Sequence, residues 1–191
     1  MDFLAEQEIE GLFIELGITT SPHGEECFIL TMDDDHAHVK HCLDNESCLP
    51  CGGDEKTHCF NVLPELMTEK VICAIHKIHE GRTLMLPTSK WRSIFDVVAF
   101  SMATDESWQE FDASATIKLN TRDPLLFEGG DEQTLVGLVT ALMNDGEAEN
   151  QGVYLIPVGA PLLLHIQPGG PVKLYFGNDA LADEVKEAYT A

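Results

Sequence analysis

Short apolar runs alternate with helical patterns over the last two thirds of this chain, and that alternation constrains its fold more than any other feature. Thr83–Pro87, Leu125–Phe127, Val153–Pro157, Leu162–Ile166 and Val172–Phe176 are rich in leucine, isoleucine, valine and phenylalanine. They have the length and bounding turns of strands. Ala115–Leu119 is a further strand candidate. Between them Trp91, Ile94, Phe95, Val98 and Met102 recur at helical spacing, so a helix buries one face there. Leu135, Leu138, Val139 and Leu142 mark a second helix behind Asp131 as its cap. Leu181, Val185, Ala188 and Tyr189 mark a terminal helix from about Asp179. The expectation is an α+β fold with a mixed or antiparallel sheet and three to five helices. An echo at an offset of 41 residues aligns Leu84 with Leu125, Ile94 with Leu135 and Val98 with Val139. Two strand–helix–strand units in tandem would suit a ferredoxin-like βαββαβ unit.

The N-terminal third is less regular. Ala5, Ile9, Leu12, Phe13 and Leu16 predict a helix stopped by Gly17, and Ser21-Pro22-His23-Gly24 predicts a turn. Cys27–Met32 is a strand candidate that runs into Asp33-Asp34-Asp35. From there to about Phe60 apolar residues are sparse and unpatterned, so this stretch is read as a loop or as something a metal organises. Pro64 fits the first turn of another helix through Ile78, although Val71–Ile75 is also β-compatible. The chain is expected to form a single domain over residues 1–191. Within it, 1–60 is an acidic helix–strand segment with an irregular Cys/His-rich insertion, and 61–191 is the α+β core.

Charge narrows the partners. The chain carries 33 acidic residues against 11 basic ones, a net charge of −22. Such a field repels phosphate backbones and anionic lipid and favours a basic protein partner or cations, so nucleic-acid and membrane binding are not expected. No apolar run reaches the length of a membrane span. The N-terminus carries acids where a signal peptide needs a basic region, so a cytoplasmic location is expected. In a reducing compartment six cysteines are read as free thiols or metal ligands.

Chemistry concentrates between residues 36 and 59, where His36, His38, His41, Cys42, Cys48, Cys51, His58 and Cys59 crowd together. Thiolate and imidazole are the side chains that bind zinc best. Cys48-Leu49-Pro50-Cys51-Gly52 can place two sulfurs on one ion, and a tetrahedral site would take its other ligands from His58 or Cys59 and from His41 or Cys42. A four-ligand site of this kind is structural, so zinc is the expected cofactor and no catalytic residue is assigned. Cys73, His76 and His79 would share a helix face and are read as packing.

Three short segments resemble known families. Cys48-Leu49-Pro50-Cys51 resembles the active-site tetrad of thioredoxin-like proteins, which implies thiol redox chemistry, but Gly52-Gly53-Asp54 stands where that family opens a helix. His36-Ala37-His38-Val39-Lys40-His41 is similar to the H-x-H-x-x-H motif of metallo-β-lactamase-fold hydrolases, which implies metal-assisted hydrolysis. Lysine stands where that family has aspartate, and only His165 is available as a distant ligand. The opening helix, Leu16-Gly17 and Phe28–Met32 resemble the start of type III secretion chaperones, which implies an acidic α+β homodimer. None of these segments identifies a family. The leading expectation is a non-enzymatic partner-binding module with a structural zinc; the alternatives are the chaperone-like dimer and a metal-dependent hydrolase or thiol-redox protein.

Overall fold

A computed structural model of the chain describes residues 1–44, 57–61, 67–78 and 81–190. Strand β1 (Asp2–Phe3) leads into helix α1 (Glu6–Leu16), then into the hairpin β2 (Ile18–His23) and β3 (Cys27–Met32). Strands β4 (Val39–Asp44) and β5 (Thr57–Asn61) follow. A π-helical stretch, Met67–Ile72, runs into α2 (Cys73–Lys77). The rest reads β6 (Thr83–Pro87), α3 (Trp91–Val98), α4 (Glu106–Ala115), β7 (Leu125–Phe127), α5 (Glu132–Asp145), β8 (Val153–Pro157), β9 (Leu162–Ile166), β10 (Val172–Phe176) and α6 (Asp179–Thr190).

Eight strands form one sheet in the order β1-β7-β6-β8-β9-β10-β4-β5, and β2 and β3 form a separate ribbon. All neighbours in the large sheet run antiparallel except β4 and β5, which are parallel. The architecture is α+β with a mixed sheet, as the apolar pattern implies. Because alternate residues of a strand face opposite ways, each central strand feeds two cores. Met85, Leu155, Leu164, Leu174 and Phe176 meet the helical layer through Ile94, Leu135, Leu138, Leu142 and Val185. Leu84, Leu86, Tyr154, Ile156 and Leu163 meet α1 and the ribbon through Ile9, Leu16, Phe28, Leu30 and Met32. Burial on both faces explains why β6 and β8 read as unbroken apolar runs.

Gly17 shows how tightly the second layer is joined. It closes α1 in the left-handed region at φ 63°, and a Cβ there would lie 2.3 Å from His36 Nδ1. His36 Nδ1 is in turn held by Asp33 Oδ1 at 2.7 Å. Only glycine fits both the backbone angle and the space.

Five sequence expectations need correction. Ala115–Leu119 is not a strand: Asp105 caps α4 by accepting from Trp108 N at 2.8 Å, Trp108, Phe111 and Ala115 bury one face, and a 3₁₀ turn at Thr116–Lys118 continues it. With α4 added and the short α2 counted, the described residues hold six α-helices rather than three to five. The ferredoxin-like unit is incomplete: β8, β6 and β7 lie side by side and antiparallel, as its fourth, first and third strands would, but Ala115–Leu119, which would be its second strand, is helical. The turn expected at Ser21–Gly24 starts later, since Ser21, Pro22 and His23 pair with Ile29, Phe28 and Cys27; proline is tolerated at such an outer edge. The unpatterned stretch contains β4 and β5. Histidine and lysine stand at positions where the alternation would need recognisable apolar and polar signals, yet His41 is buried against Phe176 with ring centroids 5.2 Å apart.

Candidate functional site

The antiparallel register aligns a row of side chains across the sheet. Leu86 of β6 pairs with Tyr154 of β8, Tyr154 with His165 of β9, His165 with Lys173 of β10, and Lys173 with Cys42 of β4. Directly paired residues share a face, so this row lies on the face that carries the ribbon. It runs from apolar Leu86 through Tyr154, His165 and Lys173 to the buried Cys42.

A cavity of about 200 Å³ opens along this row, between the ribbon and strands β8–β10. His23, Cys27, Ile29 and Leu30 line it from the ribbon, and Tyr154, His165, Gln167, Lys173 and Tyr175 from the sheet, with Thr88 and Glu149 at one end. Tyr154 and His165 stack at 4.4 Å with an 18° angle between rings. The Tyr154 hydroxyl donates to Phe28 O at 3.4 Å, and burial pushes its pKa up to about 12. Burial, reinforced by the nearby Lys173 charge, pulls His165 down to about 4. Its imidazole is therefore neutral near neutral pH. Its Nε2 is buried and has no hydrogen-bond partner, which leaves a polar group unsatisfied. Burial, followed by the Glu149 charge, raises the Cys27 thiol, so Cys27 is held as an unreactive thiol.

A larger groove, about 330 Å³, lies beside the first between α1 and the ribbon. Ile9, Phe13, Phe28, Leu30, Leu86 and Pro124 make its wall, and Glu6, Glu10 and Ile14 lie along α1. Ile14 is 79% exposed, which is unusual for a large apolar side chain on a helix that also buries Ile9 and Leu16. Arg122 also lines the groove, but its guanidinium is engaged: it sits 4.8 Å from the Phe28 ring centroid and donates to Glu26 O at 3.0 Å.

The expected metal ligands divide between described and undescribed residues. Cys48 and Cys51 lie outside the described residues. His41 takes the register position beside His58, and Cys42 the position beside Cys59. Consecutive strand residues face opposite ways, so His41 and Cys42 belong to different faces and different candidate sets. Among the described residues no group of three or more His, Cys, Asp or Glu side chains is arranged to hold an ion. His79 also lies outside the described residues. His76 is buried, with Nε2 3.0 Å from Glu128 O and Nδ1 3.0 Å from the Thr83 hydroxyl. The carbonyl can only accept, so Nε2 carries a proton.

Sequence reasoning assigned no role to the cavity. A signal existed in β9 and β10: His165 interrupts an otherwise apolar strand, and Lys173 and Tyr175 alternate with Val172, Leu174 and Phe176. That alternation marks one sheet face as polar where its neighbours are apolar. Among the described residues no helix is long and apolar enough to cross a membrane. Comparison with protein-family models, curated proteins and solved structures found no match.

Proposed function

We propose that this chain is a partner-binding protein that takes an apolar anchor from a basic segment of another protein into the groove between α1 and the β2–β3 ribbon. The observation that carries the reading is the exposed Ile14, standing at 79% exposure beside an apolar groove of about 330 Å³. Helices that dock into such grooves present apolar anchors at helical spacing, and exposed apolar patches beside polar rims mark interaction surfaces. Charge supports a basic occupant. Glu6 and Glu10 line the groove, neither has an ion-pair partner among the described residues, and the chain carries −22 overall. A structural zinc belongs to the same reading, with Cys42 and Cys59 as neighbours in the β4–β5 register and Cys48 and Cys51 as the expected further ligands.

Binding of a lysine- and leucine-containing amphipathic peptide, followed by fluorescence anisotropy, tests the groove. Ile14→Asp should weaken binding roughly tenfold, about 1.4 kcal/mol, because an anchor contact is replaced by a charge. Reversing both Glu6 and Glu10 to lysine should slow association and flatten its salt dependence. Phe100, 92% exposed just beyond α3, is the control: Phe100→Asp should leave binding unchanged. Equal affinity of the wild type and Ile14→Asp would sink the proposal.

A further inference from the structure

We infer that the cavity between the ribbon and strands β8–β10 is a binding site for a small organic monocarboxylate, its carboxylate held by Lys173 beside the His165 imidazole. Three features of the cavity specify that chemistry. The first is the His165 imidazole, which lines a cavity of about 200 Å³ and carries a buried Nε2 with no hydrogen-bond partner. Native interiors leave few such atoms unsatisfied, and those that remain call for an explanation. An oxygen acceptor in the cavity supplies one. The second is Lys173, the register neighbour of His165, which lines the same cavity and has no ion-pair partner among the described residues. An ammonium beside a neutral imidazole presents donors to a single acceptor group.

The third is the remainder of the lining. Tyr175 and Ile29 offer ring and aliphatic surface, which suits a carbon body rather than a bare inorganic ion. Glu149 lies at the far end, tied to Gln167 Nε2 at 3.4 Å and to His23 at 3.7 Å. Its charge opposes a multiply charged anion and leaves a single negative charge, at the Lys173 end, as the favourable case. The size of the cavity restricts the carbon body to a few atoms or one ring.

The bound state carries its own signature. The titratable groups that line the cavity with His165 are Tyr154 on β8, Lys173 and Tyr175 on β10, Cys27 on β3, His23 on β2 and Glu149 before β8. Of these, Lys173 is the cation that, after burial, holds the imidazole neutral. A carboxylate placed between them offsets that charge and favours the protonated ring. Ligand binding and His165 protonation are therefore coupled, and occupancy should raise the imidazole midpoint.

The experiment is a proton NMR titration of the whole chain with sodium butyrate and sodium benzoate, with inorganic phosphate and n-butylamine as comparators. The His165 ring resonances are assigned by their loss in His165→Gln. The carboxylates should shift these resonances saturably and raise their pH midpoint, while n-butylamine should not. Lys173→Met should raise the Kd roughly tenfold or more, and Lys173→Arg should keep most of the affinity. Absence of a saturable shift with either carboxylate would overturn the inference. So would wild-type affinity in Lys173→Met, or inorganic phosphate matching the carboxylates. The wild-type arms decide the matter even if the methionine variant fails to fold.

Discussion

At the residue scale, His165 couples the fold to pH. Its ordinary value of 6.5 falls to about 4 in the folded protein, so the unfolded chain binds the proton first as pH falls. Stability is then full above about pH 6.5 and is lost progressively as pH drops toward 4. The whole effect is on the order of 3 kcal/mol, a substantial share of the margin that typical domains possess. His165→Gln should remove this component. Denaturant unfolding at pH 7 and pH 4.5 is the measurement, and the wild type should lose about 2–3 kcal/mol more between the two than the variant does. An identical loss in both proteins would show that the imidazole is not desolvated as described.

At the element scale, the β4–β5 pair is where local sequence and tertiary placement meet. β4 is held on one side by β10 and on the other by β5, and Cys42 is buried within it. The neighbouring register of Cys42 and Cys59 makes the parallel edge the place where a zinc would act as a staple. Elemental analysis of tag-free protein should find about one zinc per chain, and chelation should lower Tm by about 4–8 °C, the equivalent of about 2 kcal/mol at this size. Protein free of metal that melts identically with and without chelator would sink the zinc proposal. The connecting Cys48 and Cys51 lie outside the described residues, so this measurement decides the question.

At the scale of the whole molecule, a charge of −22 works against compactness, because like charges are brought closer on folding than they are in the extended chain. Among the described residues the N-terminal ammonium makes a largely buried pair with Asp131, while Lys40 with Asp34, Lys77 with Glu132, Arg82 with Glu128 and Lys118 with Asp123 are at least partly exposed. Each exposed pair is worth little in water. Screening should therefore stabilise the fold. Raising KCl from about 20 mM to about 500 mM shortens the Debye length from roughly 20 Å to about 4 Å and should raise Tm by several degrees. A Tm that stays level or falls would mean that specific pairs outweigh the general repulsion.

The sequence by itself determined the α+β class of the core. Trp91, Ile94, Phe95 and Val98, or Leu162 through Leu164, announce helix and strand because every neighbour along the chain repeats the same local pattern. It also determined the close of α1, since Leu16-Gly17 combines an apolar helix end with the residue that tolerates φ 63°. The tertiary structure decided the rest. His41 belongs in a strand because Phe176 covers it, and nothing local to Val39–Leu43 states that. β1 takes the place beside β7, and no pattern in Asp2–Phe3 states that. The cavity exists because Tyr154, His165 and Lys173, 11 and 8 residues apart in order along the chain, fall into one cross-strand row. Residue types are local properties, whereas strand register depends on which hydrogen-bonding edges meet in space, and only the folded chain fixes that.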